Sequence, residues 1–426
     1  MSEERPHSIP VAVTGMGIVS SIASTVPDFV DALRIGRCGV IHLNVPPEIS
    51  VRTGAVLTNF PWRERFESIA ADNPVILRRG RKILNNTTDS TRWSACAALQ
   101  AWLDGGLAEG EPAVEHTGLI IAGSNLSQAY SAENGSNYSQ TGRFNPKYGI
   151  SFFDTNQLGC LSEILGLRGM GWTVGAASAS GNAAIFQAFH WIRAGLINRC
   201  LVVGAGLQLS GLELQAFRIL GAISGGKFAS DPRKSCRPFD GDHEGFVPGE
   251  GSAALMLEAR PAAVARGARI WGEIAGASLV LDGNHGPDPS VEGETRAMRL
   301  ALSDAGVPAA EIGYVNAHGT SSPLGDLTEC SALHAVFGRA RPFINSTKGL
   351  TGHCLSASGV IEAVAALLQL KEGFIHPNIN LERPIDPDLR FAGGISQAHQ
   401  AEYALSNGFG FGGINSSLVI RKARWP

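Results

Sequence analysis

The pattern of apolar and polar positions predicts short buried strands that alternate with helices along the whole chain. Apolar runs of about four residues, without polar alternation, are typical of strands covered on both faces of a sheet. We predict such strands at 11–14, 119–122, 201–204, 254–257, 314–317, 343–345 and 417–420. Strands and helices that alternate in this way predict an α/β fold.

An internal repeat says more about the architecture. Ser178-Ala-Ser-Gly181 recurs as Ser356-Ala-Ser-Gly359, and the spacing of 178 residues holds onward as far as Ile375. Each copy begins a largely apolar helix, so we expect both helices to be buried. We therefore predict two related halves, residues 1–258 and 259–426. They should pack as five layers, α/β/α/β/α, with the repeated helices at the centre.

Composition limits the function classes that need to be considered. The chain has 426 residues, 44% hydrophobic and 17% charged, with a formal net charge of -3. This balance gives no reason to expect nucleic acid or a membrane as partner. The seven cysteines have no CxxC pairing, and the histidines and cysteines show no metal-ligand spacing. We expect free thiols in a cytoplasmic protein without metal or redox cofactor.

Five motifs rich in small and polar residues follow one another along the chain. They occupy residues 174–182, 237–251, 315–326, 345–353 and 406–415, the last containing a predicted glycine-rich loop at 408–413. In this order and at this length they resemble the motifs of the β-ketoacyl-ACP synthases, or ketosynthases, over nearly the whole chain. The resemblance implies a thiolase-like fold.

Position 178 departs from that family, because a serine stands where the family has a reactive cysteine. A cysteine of pKa about 8.5 is partly thiolate at neutral pH, whereas a hydroxyl lies nearer water's ~15.7. A helix N-terminus offers at most ~2 kcal/mol, or about 1.5 pKa units. The helix alone cannot activate Ser178, although a histidine acting as general base could. Serine is also a favoured N-cap residue, and we predict that role for Ser356.

The resemblance implies roles for further residues. His318 and His353 would donate N–H groups to the carbonyl oxygen of a malonyl thioester, and Lys348 would pair with Glu362 and hold the histidines. The remaining implied site consists of an oxyanion hole from the backbone N–H groups of Ser178 and Phe411, pantetheine contacts at Thr320, Ser322 and Phe411, and docking residues for acyl carrier protein (ACP) at Arg78, Arg79, Arg81 and Lys82.

Decarboxylation of a malonyl thioester requires donors aimed at the developing enolate oxygen, but no covalent nucleophile. We therefore predict that this ketosynthase-like chain converts malonyl-ACP to acetyl-ACP. It most resembles the Cys-to-Ser decarboxylating ketosynthases of the β-branching (HMG-synthase) cassettes of polyketide biosynthesis. The resemblance implies a homodimer that works with ACP, whose phosphopantetheine arm carries the substrate, and with other enzymes of such a cassette.

Two alternatives remain open. The chain could be a condensing enzyme of fatty acid or polyketide synthesis, in which Ser178 is either natural or an engineered replacement of a cysteine. It could also be a non-catalytic partner subunit that only shapes a dimer. The second alternative predicts decay of the histidines, yet His318 and His353 are both present.

Overall fold

The computed structural model describes residues 9–107, 115–224 and 226–423. The strands are β1 (Val11–Ser20), β2 (Ile41–His42), β3 (Thr53–Gly54), β4 (Thr117–Ala122), β5 (Gly171–Val174), β6 (Arg199–Gly204), β7 (Gly251–Ala259), β8 (Gly272–Leu281), β9 (Ile312–Asn316), β10 (Phe343–Asn345), β11 (Phe374–Ile375), β12 (Gln397–Ala398), β13 (Tyr403–Gly410) and β14 (Ile414–Lys422). The helices are α1 (Val26–Ile35), α2 (Trp62–Ile69), α3 (Pro74–Leu84), α4 (Asp89–Asp104), α5 (Gln128–Thr141), α6 (Tyr148–Ser151), α7 (Thr155–Leu165), α8 (Ser180–Arg193), α9 (Gly211–Ile219), α10 (Arg260–Ala265), α11 (Val291–Ala305), α12 (Pro323–Phe337), α13 (Lys348–Thr351) and α14 (Ser358–Glu372).

The large sheet consists of two halves with the same strand order and directions. In the first half, β5-β4-β6-β7-β1, strand β4 pairs in parallel with β5 and β6, and β7 pairs antiparallel with β6 and β1. In the second half, β10-β9-β13-β14-β8, strand β9 pairs in parallel with β10 and β13, and β14 pairs antiparallel with β13 and β8. The halves join through a short antiparallel pairing of β1 with β8. The strand topology therefore repeats as the sequence does.

The helices form three layers around these two half-sheets. Helices α8 and α14 lie at the centre, where each packs against strands of both halves, including β6, β7, β13 and β14. Helix α4 covers the first half on β1 and β7, while α11 covers the second half on β8 and β14 and packs against α12. This arrangement confirms the predicted thiolase-like α/β fold with five layers.

The two central helices touch where the repeated motif places a glycine in each. A Cβ atom added to Gly181 would lie 2.7 Å from the nitrogen of Val360 and 2.8 Å from the Cα of Gly359. Such contacts with backbone atoms are too close for any side chain, so glycine permits this approach. The 3₁₀ turns that precede the helices, Ala177–Ala179 and Leu355–Ala357, also contact each other. The repeat thus brings position 178 next to the second half.

The predicted N-cap role of Ser356 is wrong. Neither α8 nor α14 has a side-chain hydrogen bond at its N-cap, because each helix begins two residues after the serine, behind the 3₁₀ turn. Within these turns Ala177 and Leu355 adopt positive φ angles of 46° and 49°. This left-handed conformation is strained for residues other than glycine.

The predicted glycine-rich loop is partly a strand. Residues 408–410 belong to β13, and only 411–413 form the turn into β14. Residues 408–410 pair with β14 alone, since the pairing of β13 with β9 ends at Ser406, and this ladder holds the segment extended despite the low β-propensity of glycine. A Cβ atom on Gly410 would lie 2.7 Å from the carbonyl oxygen of Ala176. The glycine therefore allows β13 to approach the turn that carries Ser178.

The sequence analysis did not predict strand β8.

The boundary at residues 258 and 259 stays a prediction, and the first eight residues of the predicted N-terminal half lie outside the described ranges. Across those ranges, none of the helices combines the length and the apolar character needed to cross a bilayer.

Candidate active site

A cavity of about 520 Å³ is lined by residues of both halves. Its apolar wall includes Leu207, Phe217, Leu220 and Phe246. The predicted site residues that line it are Ser178, His318, Thr320, Ser322, His353 and Phe411. The structure therefore brings together side chains from all five sequence motifs in one concave site, the usual form of a small-molecule site.

The Ser178 hydroxyl contacts a histidine of the second half. Its Oγ lies 2.9 Å from Nε2 of His353, although the two residues are 175 positions apart in the chain. The other ring nitrogen of His353, Nδ1, accepts a hydrogen bond from the backbone N–H of Leu355 at 3.2 Å and lies 3.0 Å from Oγ of Ser358. A neutral imidazole has one donor and one acceptor nitrogen. Since Nδ1 accepts from an amide, Nε2 carries the proton and donates it to Ser178.

His318 is oriented in the same sense by Lys348. The Lys348 ammonium lies 3.5 Å from Nδ1 of His318 and donates to the His318 carbonyl oxygen at 2.7 Å. An ammonium group has only donors. Nδ1 of His318 is therefore the acceptor, and its N–H is again at Nε2. The His318 and His353 ring centroids lie 5.6 Å apart, and both residues line the cavity.

Lys348 is itself held by a buried carboxylate, as the sequence predicted. Its Nζ lies 2.5 Å from Oε1 of Glu362, and the two side chains are 1% and 2% exposed. Neither side chain lines the cavity, so the ion pair stands behind the histidines. From this position Lys348 can influence the charge of the His318 and His353 rings, but it cannot attack a substrate in the cavity.

Both active-site histidines are uncharged at neutral pH. Burial lowers the pKa of His318 well below 6.5, and electrostatic interactions with the Lys348 ammonium and with His353 lower it further. Burial and Lys348 likewise lower the pKa of His353 well below 6.5. A neutral imidazole with a protonated Nε2 can donate to a carbonyl oxygen without carrying a charge into the cavity. The site is therefore arranged as two neutral N–H donors.

The histidine backbone is fixed by a glutamate that the sequence analysis missed. Glu329 of α12 accepts hydrogen bonds from the backbone N–H of His318 at 2.8 Å and of Gly319 at 2.7 Å. Asn407 of β13 donates to the same carboxyl group at 3.0 Å. Burial raises the pKa of Glu329 to about 6 in spite of these donors. The sequence around Glu329, which also contains Asp326 and Thr328, offers no signal that would single this carboxyl group out.

Phe411 lies at the turn between β13 and β14 and is 40% exposed, with its ring centroid 6.2 Å from that of Phe217. The preceding residue, Gly410, closely approaches the turn that contains Ser178. Thr320 and Ser322 share a hydrogen bond of 2.8 Å at the cavity wall. The roles predicted for these residues in an oxyanion hole and in pantetheine binding stay predictions.

No thiol replaces the missing nucleophile. The seven cysteines all lie in the described ranges, all are free, and none lines the cavity. Cys354 follows His353 in the chain, but burial raises the pKa of its thiol to about 12. A buried thiol of this kind is not a thiolate nucleophile at neutral pH. The residue at the predicted nucleophile position, Ser178, carries a hydroxyl group that contacts His353.

The predicted docking residues lie on α3, outside the cavity. Arg81 forms a two-point ion pair with Glu67 at 2.8 Å, and Lys82 lies 3.5 Å from Glu163. Arg78 is exposed, and no ion pair to Arg78 or Arg79 occurs within the described residues. The docking role predicted for these four residues stays a prediction.

The described part of the chain contains no group of three or more histidine, cysteine, aspartate or glutamate side chains that could hold a metal ion. The expectation that the protein needs no cofactor stays a prediction.

Comparison with known proteins places this geometry in a family context. Residues 8–263 match the family "Beta-ketoacyl synthase, N-terminal domain", and residues 271–382 match "Beta-ketoacyl synthase, C-terminal domain". The chain is 35% identical to the polyketide biosynthesis malonyl-ACP decarboxylase PksF of Bacillus subtilis, over 96% of each protein. It is 34% identical to 3-oxoacyl-[acyl-carrier-protein] synthase 2 of Synechocystis, over 97% of this chain and 98% of that protein.

Solved structures show the same architecture. A beta-ketoacyl synthase from Burkholderia phymatum superposes with a TM-score of 0.87 at 32% identity, over 97% of this chain and 100% of the other. The type II polyketide complex AntDE:AntF, an acyl-carrier protein with its ketosynthase bound to the hexaketide, gives a TM-score of 0.84 at 25% identity, over 98% of this chain and 100% of the other. Both similarities span essentially the whole chain.

Proposed function

The chain belongs to the β-ketoacyl synthase family, and we propose that it decarboxylates malonyl-ACP to acetyl-ACP. The observation that carries this proposal is the pair of neutral Nε2–H donors, His318 and His353, in a cavity whose nucleophile position holds Ser178. The similarity to the malonyl-ACP decarboxylase PksF supports the same reaction.

The reaction follows from these donors. In malonyl-ACP, the bond between C2 and the carboxylate breaks, carbon dioxide leaves, and the electron pair forms an enolate on the thioester oxygen. The N–H groups of His318 and His353 stabilise that oxygen, for which the His353 N–H leaves the Ser178 hydroxyl, and one preorganised donor of this kind is worth about 2.7 to 4 kcal/mol. A proton then adds to C2 and gives acetyl-ACP. No step needs a covalent bond to Ser178.

Decarboxylative condensation is the second candidate, because another relative is a 3-oxoacyl-ACP synthase and the Ser178 hydroxyl lies 2.9 Å from a histidine. However, an attacking serine must give its proton to Nε2 of His353, which already carries one while Nδ1 accepts from Leu355. Acylation of Ser178 would require the opposite tautomer and the loss of that backbone hydrogen bond. The observed arrangement therefore favours decarboxylation. It also argues against a non-catalytic subunit, since both donors are retained.

Acyl carrier protein is the proposed partner, with the malonyl group on its phosphopantetheine arm. The names of both relatives include ACP, and AntDE:AntF is a complex of a ketosynthase with its carrier protein.

We further propose a homodimer through β5, the edge strand next to the Ser178 turn, on which Trp172 is 44% exposed. A monomeric mass in sedimentation equilibrium would contradict this. The acetyl-ACP product would supply a β-branching cassette of polyketide biosynthesis and its other enzymes.

Docking of ACP on α3 predicts a substrate-dependent effect of charge. Replacing Arg78 and Arg79 by glutamate is expected to raise KM for malonyl-ACP about fivefold, because an exposed ion pair contributes up to about 1 kcal/mol. The KM for malonyl-CoA, which lacks the carrier protein, should not change. Steady-state kinetics at low and high salt would check this, since the effect should weaken with salt. An equal change for both substrates would contradict docking at this surface.

The test of the proposed function is the reaction of malonyl-ACP with the protein and its Ser178 variants, followed by mass spectrometry of both proteins. We expect acetyl-ACP to form without an acyl adduct on the enzyme. Ser178→Ala should retain the reaction within about tenfold, because the serine supplies only a hydrogen-bond acceptor to His353.

Ser178→Cys serves as the matched comparison, because it restores a thiol at the same position. If the unchanged protein becomes acylated at Ser178, or if it forms acetyl-ACP no faster than buffer while Ser178→Cys condenses acyl chains, the protein is a condensing enzyme and the proposal is wrong.

A further inference from the structure

Glu294 is a buried acid in the cavity wall with no assigned role. It lies in the first turn of α11, where it is 1% exposed, and it lines the same cavity as Ser178, His318 and His353. Its Oε2 is buried and has no hydrogen-bond partner among the residues that the structure describes. A buried polar atom without a partner costs free energy and calls for a functional explanation. Here the unpaired group borders the space in which the substrate would react.

The charged groups that act on Glu294 are all carboxyl groups. Asp282 at the end of β8, and Asp326 and Glu329 of α12, are its charged neighbours, and the Asp282 carboxyl is hydrogen-bonded to Asn415 at 2.7 Å. No lysine, arginine or histidine forms an ion pair with Glu294 in the described ranges. Burial, followed by the charges of these three carboxylates, raises the pKa of Glu294 well above 4.5. The group therefore retains a proton into the range where ordinary glutamates have lost it.

Decarboxylation without condensation requires a proton donor for C2, and a protonated carboxyl group in the cavity wall can supply that proton. In a condensing enzyme the enolate carbon attacks an acyl thioester, and no proton is consumed at C2. In a decarboxylase, C2 must take up one proton for each carbon dioxide released. His318 and His353 hold their N–H groups on the enolate oxygen, and Lys348 lies behind them and outside the cavity. The proton at C2 must therefore come from solvent or from another acid that lines the cavity.

We propose that Glu294 is the general acid that protonates the enolate. After the carbon–carbon bond breaks, the carboxyl group of Glu294 transfers its proton to C2, a C–H bond forms, and the thioester carbonyl is restored. Glu294 becomes a carboxylate, which regains a proton from solvent before the next cycle. This inference rests on the proposed malonyl-ACP decarboxylation and names the acid that completes it.

The experiment compares Glu294→Gln with Glu292→Gln, a control on the same helix whose side chain is exposed. Each protein is incubated with malonyl-ACP in the presence of ¹³C-labelled carbon dioxide, and mass spectrometry measures acetyl-ACP formation and label in the remaining malonyl-ACP. For Glu294→Gln we expect acetyl-ACP formation to fall about 100-fold, the lower range for loss of a general acid. Label should appear in malonyl-ACP, because an enolate that is not protonated can recapture carbon dioxide. Glu292→Gln should behave as the unchanged protein.

The outcomes separate this inference from the proposed function. If the unchanged protein forms no acetyl-ACP, both ideas are wrong. If it is active and Glu294→Gln is equally active, only the role of Glu294 is wrong. If Glu294→Gln loses acetyl-ACP formation and label uptake together, its role is structural and the inference is overturned. Thermal unfolding of the variant is a further check, because the loss of an unpaired buried acid should not lower the midpoint.

Discussion

Replacing His318 by alanine is expected to lower the rate of acetyl-ACP formation by about a hundred- to thousandfold. The expected loss is that of one preorganised donor to a developing oxyanion. The His318 ring is neutral and carries its proton on Nε2, because Nδ1 faces the Lys348 ammonium. Its donor strength is realised on the enolate oxygen more than on the ground-state carbonyl, so kcat should fall more than KM rises. Single-turnover mass spectrometry of malonyl-ACP would measure the effect.

Two further variants make this result specific. His318→Gln retains an N–H donor and should recover part of the activity lost in His318→Ala. His334→Ala removes a histidine of α12 whose partner is Asp386 and which does not line the cavity, so it should leave the rate unchanged. Retention of activity within tenfold in His318→Ala would show that the enolate oxygen is stabilised elsewhere.

The positions of the site residues could be predicted because each lies in an extended motif. Ser178, His318 and His353 are far apart in the chain, yet each motif fixes its own turn or strand end, and the repeated topology brings these ends together. The internal repeat predicted the two central helices. The contact of Gly181 with Gly359 explains why a glycine recurs in both copies. The fold, and the meeting of these three side chains in one cavity, were thus encoded in local signals.

What the sequence did not reveal depends on which residue a side chain faces. The role of Ser356 was mistaken because N-cap preference describes a serine directly before a helix, whereas a 3₁₀ turn intervenes here. Glu329 and Glu294 lie in helices whose polar residues could equally have faced solvent. Only the packing of α11 against α12 shows that both carboxyls are buried. The tautomer of His353 likewise depends on the backbone N–H of Leu355, which no side-chain pattern encodes.

Lys348→Met is expected to lower the free energy of unfolding by about 3 to 5 kcal/mol, the usual cost of removing one partner from a buried ion pair. The variant leaves the carboxyl group of Glu362 buried at 2% exposure without its cation, and the His318 carbonyl without its donor. Urea unfolding would measure the loss. The double variant Lys348→Met/Glu362→Gln should recover most of it, because a neutral pair leaves no buried charge uncompensated. Equal losses in the single and double variants would contradict this account.

The double variant also isolates the electrostatic role of Lys348 from its structural role. The ammonium lowers the pKa of His318, so its removal should let that pKa rise toward 6.5. His318 can donate from Nε2 as a neutral imidazole only while its Nδ1 is unprotonated. If the pKa of His318 rises, the ring becomes protonated at a higher pH and activity is lost there. The acid limb of the rate of acetyl-ACP formation should therefore move upward in pH in the double variant, while the neutral-pH fold is retained. An acid limb that does not move would mean that Lys348 orients His318 through its carbonyl contact alone, without controlling its charge.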